Sequence, residues 1–386
     1  MELVQKGFKQ TEVGMIPVDW RIESVGNVFE FSGGSQPPRS TFIFKSKKGY
    51  LRLLQIRDYK SENHLTFIPE NLAQKKCEAD DIMIGRYGPP IFQILKGLEG
   101  AYNVALIKAI PKGIDKAFAY HFLKQNVLFE FVEKLSQRSS GQTGVDLVQL
   151  RGYLFPLPPT QTEQQAIATA LSDVDAFISS LDELISKKKA IKQGAMQQLL
   201  TPPSKGGKRL PGFDGEWEET VLGELCKNIS SGTSNTNSVP GAFPLYGSTG
   251  QIGTKNYMDY DGERILVARV GANAGTLYKV RGQYCVSDNT LMISLSESLN
   301  LEFLFYSLKQ FNLSQLIFGS GQPLITGGQL KNLKFFIPKF EEQKAIAEIL
   351  SDMDAELEQL EAKKGKYQQI KQGMMQELLT GKTRLV

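Results

Sequence analysis

Two aspartate pairs, Asp173/Asp175 within SDVD and Asp352/Asp354 within SDMD, have the residue types that chemistry asks for. Paired carboxylates can share a proton or hold a cation, but only when they converge. On a helix, residues two apart point about 200° from one another, so neither pair converges. Such pairs offer solvated helix charges or contacts to a docked partner. Histidine is confined to His64 and His121, expected at the surface or in packing rather than as bases. Cys77, Cys226 and Cys285 lie far apart in sequence and are expected as reduced thiols, not as a disulfide or zinc site. HExxH, CxxC, GxSxG and GxxxxGK[ST] motifs are absent, so no metal is expected and nucleotide hydrolysis by this chain is not either. VGANAG (Val270 to Gly275) continues as TLYKVRG without a helical pattern, which reads as a β-turn rather than a phosphate cradle. The sequence assigns no reaction to this polypeptide.

Binding is better provided for. Loops rich in Gly, Ser, Thr, Asn and Gln recur: SGGSQPPRS (Ser32 to Ser40), SGTSNTNS (Ser231 to Ser238), YGSTGQIG (Tyr246 to Gly253), SSGQTG and GSGQP. Short amide and hydroxyl side chains can read base edges or hold phosphates, and arginine pairs with guanine through two hydrogen bonds. Arg39, Lys45, Lys47, Lys48 and Arg57 cluster in sequence beside Phe42, Phe44, Tyr50 and Tyr59. Residues 20–160 hold 19 Lys and Arg against 13 Asp and Glu, whereas residues 217–338 hold 9 against 9. Positive charge is thus concentrated in the first half, which fits a polyanion partner, although ordinary solvated turns fit each loop taken alone.

The elements that must position these loops are set by a repeat. Glu163 to Thr201 and Glu342 to Thr380 align without a gap, with about 21 of 39 positions identical. Apolar residues fall at Ile167, Leu171, Val174, Ile178, Leu181 and Ile185, and again at Ile346, Leu350, Met353, Leu357 and Leu360. This spacing of four and three predicts the seam of a coiled coil, with each helix the partner of the other. At ~1.5 Å per residue each helix spans roughly 60 Å. The similarity continues outside the helices. GQTGVDLVQLRGYLFPLPP precedes the first and GQPLITGGQLKNLKFFIPK the second. Trp20 and Trp217, the only tryptophans, are each followed six residues later by glycine, Gly26 and Gly223. DDIMIGRYGPP matches ERILVARVGAN, with Arg86 opposite Arg269 and Gly88 opposite Gly271. TPPSKGGKRLPG (Thr201 to Gly212) is the expected linker, and its counterpart at the C-terminus is TGKTRLV.

Within each half, short β-rich stretches (YLRLLQI, DDIMIGRY, ALIKAI; RILVARV, QYCVS, TLMISL) alternate with turns, and helical patterns appear near Phe118 to Lys134 and Leu301 to Phe311. The expected fold is α+β: two duplicated globules joined by two long antiparallel coiled-coil helices with pseudo-two-fold symmetry. The expected division is an N-terminal segment 1–19 that completes a pseudo-symmetric ring, a globule 20–160, a helix 161–201, a linker 202–216, a globule 217–338, and a helix with tail 339–386. No apolar run approaches the ~20 residues that cross a bilayer, and MELVQKGFKQTEVG has no apolar stretch of the secretory kind. A cytoplasmic protein with no membrane partner is expected.

The pattern IPxxW, then R-x-G, then PLPPTQTEQQAIATALSDVD with KQGAMQQLLT, occurring twice, resembles the specificity (S) subunit of type I restriction–modification systems (HsdS) across essentially the whole chain. The resemblance implies a DNA-binding, non-catalytic subunit whose two globules are target recognition domains, each reading half of a bipartite site in double-stranded DNA. The helix pair would fix the unread spacer and dock the modification (M) subunits, two in number. Two restriction (R) subunits would complete the assembly. It implies no cofactor in this chain, with S-adenosylmethionine, ATP and Mg on the partner subunits. Charge and loop position then select Arg39, Lys47, Lys48, Arg57 and Arg86 as DNA contacts in the first domain, and Asn235, Ser248, Thr249, Gln251 and Arg269 in the second. Arg86 and Arg269 recur at matching places and fit a structural role equally well. The alternative is a non-DNA-binding scaffold that makes protein–protein contacts only. A self-sufficient methyltransferase or nuclease is disfavoured by the missing motifs.

Overall fold

The computed structural model describes residues 7–136, 144–237, 239–318 and 323–385. They form two compact units: Met1–Ser180 with Lys364–Val386, and Leu181–Lys363. Most of the SSGQTG and GSGQP loops, Ser238 and the first six residues lie outside the described residues.

In the first unit, β-branched and aromatic runs form two four-stranded sheets. One is antiparallel, in the order Phe29–Gly33, Leu106–Pro111, Ile82–Gly85, Ile94–Lys96. Ile82–Gly85 is buried at every position, which is why IMIG shows no polar alternation. The other runs Phe67–Pro69, Tyr50–Leu54, Gly100–Tyr102, Lys76–Cys77, and its central pair is parallel, with Leu53 opposite Ala101. The second unit repeats this order strand for strand. Its antiparallel sheet runs Cys226–Ser231, Thr290–Leu295, Arg264–Ala268, Leu277–Val280. Its second sheet runs Gly250–Lys255, Phe243–Gly247, Gln283–Val286, Tyr260–Asp261, again with a parallel central pair, Leu245 opposite Cys285. The duplication seen in sequence is therefore a duplication of topology, and each unit mixes strands with helices.

The recurring small motifs have mechanical causes. Trp20 and Trp217 are buried in the two main cores. The glycine six residues later lets a one-turn helix pass close by. A Cβ at Gly26 would stand 3.1 Å from Arg151 Cβ and from its carbonyl oxygen, and one at Gly223 would stand 3.1 Å from the same atoms of Lys331. The R-x-G turns need a left-handed glycine, with φ 97° at Gly88 and 79° at Gly271. The arginine backbone in each is a clasp. Arg86 donates its N–H to Ala105 and accepts from Val145, and Arg269 does the same with Asn289 and Ile325.

Each long helix, Gln161–Leu199 and Phe340–Leu378, is unbroken over 39 residues. Ile167 and Leu171 lie in the same core as Trp20, and Ile346 and Leu350 in the same core as Trp217, so the first turns of each helix are part of a globule. Leu181 and Ile185 are also buried, while Val174, Ile178, Met353, Leu357 and Leu360 are half-buried.

The Glu-Gln pair that opens each helix fixes it to its globule. Glu163 and Glu342 are each about 1% exposed at the side chain. Arg384 holds Glu163 through two bonds of 2.7 and 2.8 Å, and its third nitrogen reaches Asp19 at 2.8 Å. Arg209 holds Glu342 at 2.7 Å and also donates to the Asp214 and Gly215 carbonyls. The neighbouring glutamines act as bolts. Gln164 donates to Pro158 O and accepts from the Asp115 N–H, and Gln343 donates to Pro338 O and accepts from the Asn300 N–H. Asp115 and Asn300 in turn cap the helices that follow them, accepting from Phe118 and Phe303.

Further along, the two long helices touch within each unit. In the first, Asp175 pairs with Lys371 at 2.5 Å and Phe177 packs on Tyr367 with ring centroids 4.4 Å apart. In the second, Lys192 pairs with Asp354, Lys188 with Glu356 at 2.6 Å and Lys189 with Glu361 at 2.9 Å. In the first unit, residues climbing one helix meet residues descending the other.

A carboxylate as buried as Glu163 is stable only while its arginine is present. Arg384→Ala is expected to lower unfolding stability by about 3 kcal/mol. With Glu163→Ala added, the double-mutant cycle in urea should show a coupling above about 1 kcal/mol. Additive losses would show that the clamp contributes nothing.

Candidate nucleic-acid interface

Among the described residues a catalytic constellation is approached at His121. Its Nε2 lies 2.9 Å from Ser172 Oγ and its Nδ1 3.9 Å from Asp175. The Asp175 distance is too long for a hydrogen bond, Nδ1 is buried without a partner, and Asp175 is already paired with Lys371. The second unit carries the same arrangement with a tyrosine: Tyr306 Oη donates to Asp354 at 2.7 Å and lies 3.5 Å from Ser351. A group that is histidine in one copy and tyrosine in the other is a seat for the helix, not a base. The second aspartates of SDVD and SDMD thus find their partners within the chain, while Asp173 and Asp352 are exposed. Burial pushes the His121 imidazole down to about 4, against the opposing pull of Asp175. The three cysteines are buried and unpaired, and burial lifts the Cys226 thiol to about 12. Among the described residues no His, Cys, Asp and Glu cluster fits a metal ion, and no helix is long and apolar enough to cross a membrane.

In the first unit the structure brings two of the five selected cations together. Arg39 and Arg57 line one groove of about 630 Å³ with Gln36, Phe42, Phe44 and Gln55. Phe44 is 72% exposed at this site, an unusual exposure for an aromatic side chain. Lys47 lies over the Tyr50 ring, 5.4 Å from its centroid, and Lys48 is exposed; neither lines the groove. Arg86 stands apart over Tyr87, with its Nε buried and unpartnered.

In the second unit Ser248 and Thr249 form the turn between Phe243–Gly247 and Gly250–Lys255, and Gln251 stands exposed on the next strand. Asn235 is exposed and its side chain accepts from the Asn237 N–H at 2.8 Å, forming a local turn. Arg269 is tied back to Ser231 Oγ at 3.3 Å and to the Asp288 carbonyl at 3.4 Å.

The two units differ in how one pair of equivalent strands is joined. Tyr50–Leu54 reaches its antiparallel neighbour Phe67–Pro69 through residues 55–66, which carry Arg57 and His64. The matching strands of the second unit need only Ser248 and Thr249. Sequence reasoning did not select Gln36, Gln55, Thr66 or Asn103, which also line the groove. Single polar residues carry no periodic signal, and only the unequal connection between matched strands would have pointed to them.

Residues 17–193 and 214–372 match the type I restriction modification DNA specificity domain. The chain belongs to this family. It is similar to the MjaVIII type I restriction enzyme specificity subunit of Methanocaldococcus jannaschii, 24% identical over an alignment covering 99% of this chain and 97% of the relative. In fold it is similar to the crystal structure of the S subunit of a type I restriction–modification system from M. genitalium, with a TM-score of 0.64, 16% identity, and 94% of this chain and 96% of that one covered. A chain from a structural study of assembly and conformational transition in the type I R-M system gives a TM-score of 0.59 at 17% identity, covering 95% of this chain and 99% of that one.

His121 gives a pH signature of the folded scaffold. Its folded value near 4 lies below the unfolded value of about 6.5, so the stability it confers is full above pH 6.5. That contribution, about 3 kcal/mol, is lost as the pH falls from 6.5 through 4. His121→Tyr, which installs the second unit's solution, should fold and show that much less acid sensitivity in denaturant titrations. An unchanged pH slope would contradict the assignment.

Proposed function

We propose that this chain is the subunit that selects the DNA sequence on which a type I restriction–modification assembly acts, without itself carrying out a reaction. The observation that supports this most directly is the contrast between the two units. They repeat one strand order and the same anchoring residues, and they differ in the connections that hold Arg57 and His64 in one and Ser248 and Thr249 in the other. Repeated parts suit a common scaffold, and unequal parts suit two different sequences.

In this reading the first unit binds the 5′ half of a bipartite, asymmetric site in duplex DNA and the second binds the 3′ half. The long helices act as an antiparallel coiled coil about a pseudo-two-fold axis, and their length sets the spacer between the half-sites. Two M subunits dock along them, and two R subunits complete the assembly. S-adenosylmethionine belongs to the M subunits, and ATP with Mg to the R subunits. An unbroken helix suits the role of a ruler because every residue adds the same ~1.5 Å of length.

Two measurements test the reading. Replacing residues 20–158 with another domain of the family should change one half-site and leave the other intact, as mapped by sequencing methylated adenines; change in both would reject independent readers. Inserting one helical turn of four residues into a long helix should widen the spacer by ~6 Å, or about two base pairs. An unchanged spacer rejects the ruler, and a scaffold without DNA contacts would show no sequence-selective footprint even with M subunits present.

A further inference from the structure

Arg57 differs from the other cations of the first unit because its guanidinium is held before any DNA arrives. Its Nη2 donates to Thr66 Oγ1 at 3.3 Å and to the His64 carbonyl at 3.4 Å. Its Nε lies 3.9 Å from the carboxylate of Asp58, whose side chain is fully buried. That carboxylate is itself fixed by the Gln55 N–H at 2.9 Å, and Gln55 Nε2 donates to Thr66 Oγ1 at 3.1 Å, so the whole connection is braced. The Arg57 side chain nevertheless remains 53% exposed. It lines both the larger groove and an adjoining hollow of about 230 Å³, with Phe44 shared between them. Among the described residues nothing engages its Nη1.

This is the state expected of a side chain that reads rather than merely attracts. A guanidinium presents two parallel donors along its Nη1–Nη2 edge, which match the O6 and N7 acceptors of guanine in the major groove once Nη2 exchanges its long bond to the His64 carbonyl for the base. Fixing it beforehand removes most of the rotamer entropy that binding would otherwise cost. Lys47 and Lys48 cannot present such a fork, and Arg39 has no side-chain brace of this kind among the described residues. At the matching connection the second unit has only Ser248 and Thr249.

We propose that Arg57 reads a guanine through its O6 and N7 in the half-site bound by the first unit, with Thr66 as a positioning residue. This rests on the proposed role of the unit as a DNA reader. The matching turn of the second unit offers only Ser248 and Thr249, so this particular contact belongs to the first unit's half-site.

The test uses the complex assembled with its M subunits and duplexes carrying the methylated motif. Each guanine of the first unit's half-site, assigned by the domain exchange above, is replaced in turn by 7-deazaguanine, which removes N7, or by inosine, which keeps both O6 and N7. At one position 7-deazaguanine should weaken wild-type binding by roughly 5- to 150-fold and inosine should not. Arg57→Lys and Arg57→Ala should bind guanine and 7-deazaguanine there alike. Thr66→Val should lose part of the discrimination and Thr66→Ser should keep it, a pattern that a merely structural role for the hydroxyl would not give. Wild-type insensitivity to 7-deazaguanine at every guanine overturns the proposal. So does a uniform loss across all duplexes in Arg57→Ala with a shallower salt dependence, largely restored in Arg57→Lys, which marks a phosphate contact. Either result leaves the domain exchange, and the reading it tests, standing; a wild-type complex with no sequence preference at all removes both.

Discussion

A carboxylate buried in the first turn of each long helix sets the terms for the rest of the chain. Glu163 and Glu342 would be costly in that position if unpaired, because an ion taken out of water without a partner loses several kcal/mol. The arginine that neutralises each comes from the tail after the other helix: Arg384 closes on Glu163, and Arg209 on Glu342. The requirement is therefore reciprocal. Neither helix can be seated unless the chain that leaves its counterpart returns to it. Arg384 also reaches Asp19, so the same clamp ties the end of the chain to the segment entering the first globule.

Once the helices are seated, several of the repeated features help to keep them there. Gln164 and Gln343 join the helix start to the preceding strand and to the cap of a neighbouring helix. Asp175 and Asp354 each receive a lysine from the other long helix, and a ring of the globule seats beside each: Tyr306 bonds Asp354, while His121 bonds Ser172, 3.9 Å from Asp175. Gly26 and Gly223 admit a crossing turn that any side chain would press against. What escapes this constraint is the set of connections at the free ends of the strands, and there the two units diverge. A scaffold that tolerates a braced loop in one copy and a tight turn in the other can change what it binds without changing how it folds.

Much of this was legible in the sequence because it is periodic or repeated. The strands around IMIG and RILVA, the helix at Leu301–Phe311 and both long helices fall where their patterns place them. The partners of individual residues were not legible. A spacing of four and three looks the same whether a helix faces another helix or a globule, so Ile167, Leu171, Ile346 and Leu350 gave no sign that they belong to the globular cores. Asp175 read as a solvated charge or a contact to a docked partner because its lysine lies almost two hundred positions away. The brace around Arg57 uses one threonine, one glutamine, one aspartate and one backbone carbonyl, whose meeting has no signature before the chain folds. Arg39 and Lys47 look alike by charge and loop position, and only folding separates the residue that lines the groove from the one stacked on Tyr50.

The central claim is that two copies of one scaffold, made different at their connections, select two separate stretches of DNA. Sequencing the methylated adenines in a host that carries this chain with its M subunit addresses this most directly. The account predicts two specified blocks separated by a constant run of unspecified bases, with different sequences in the two blocks. A single continuous motif, or methylation at no defined sequence, would contradict it.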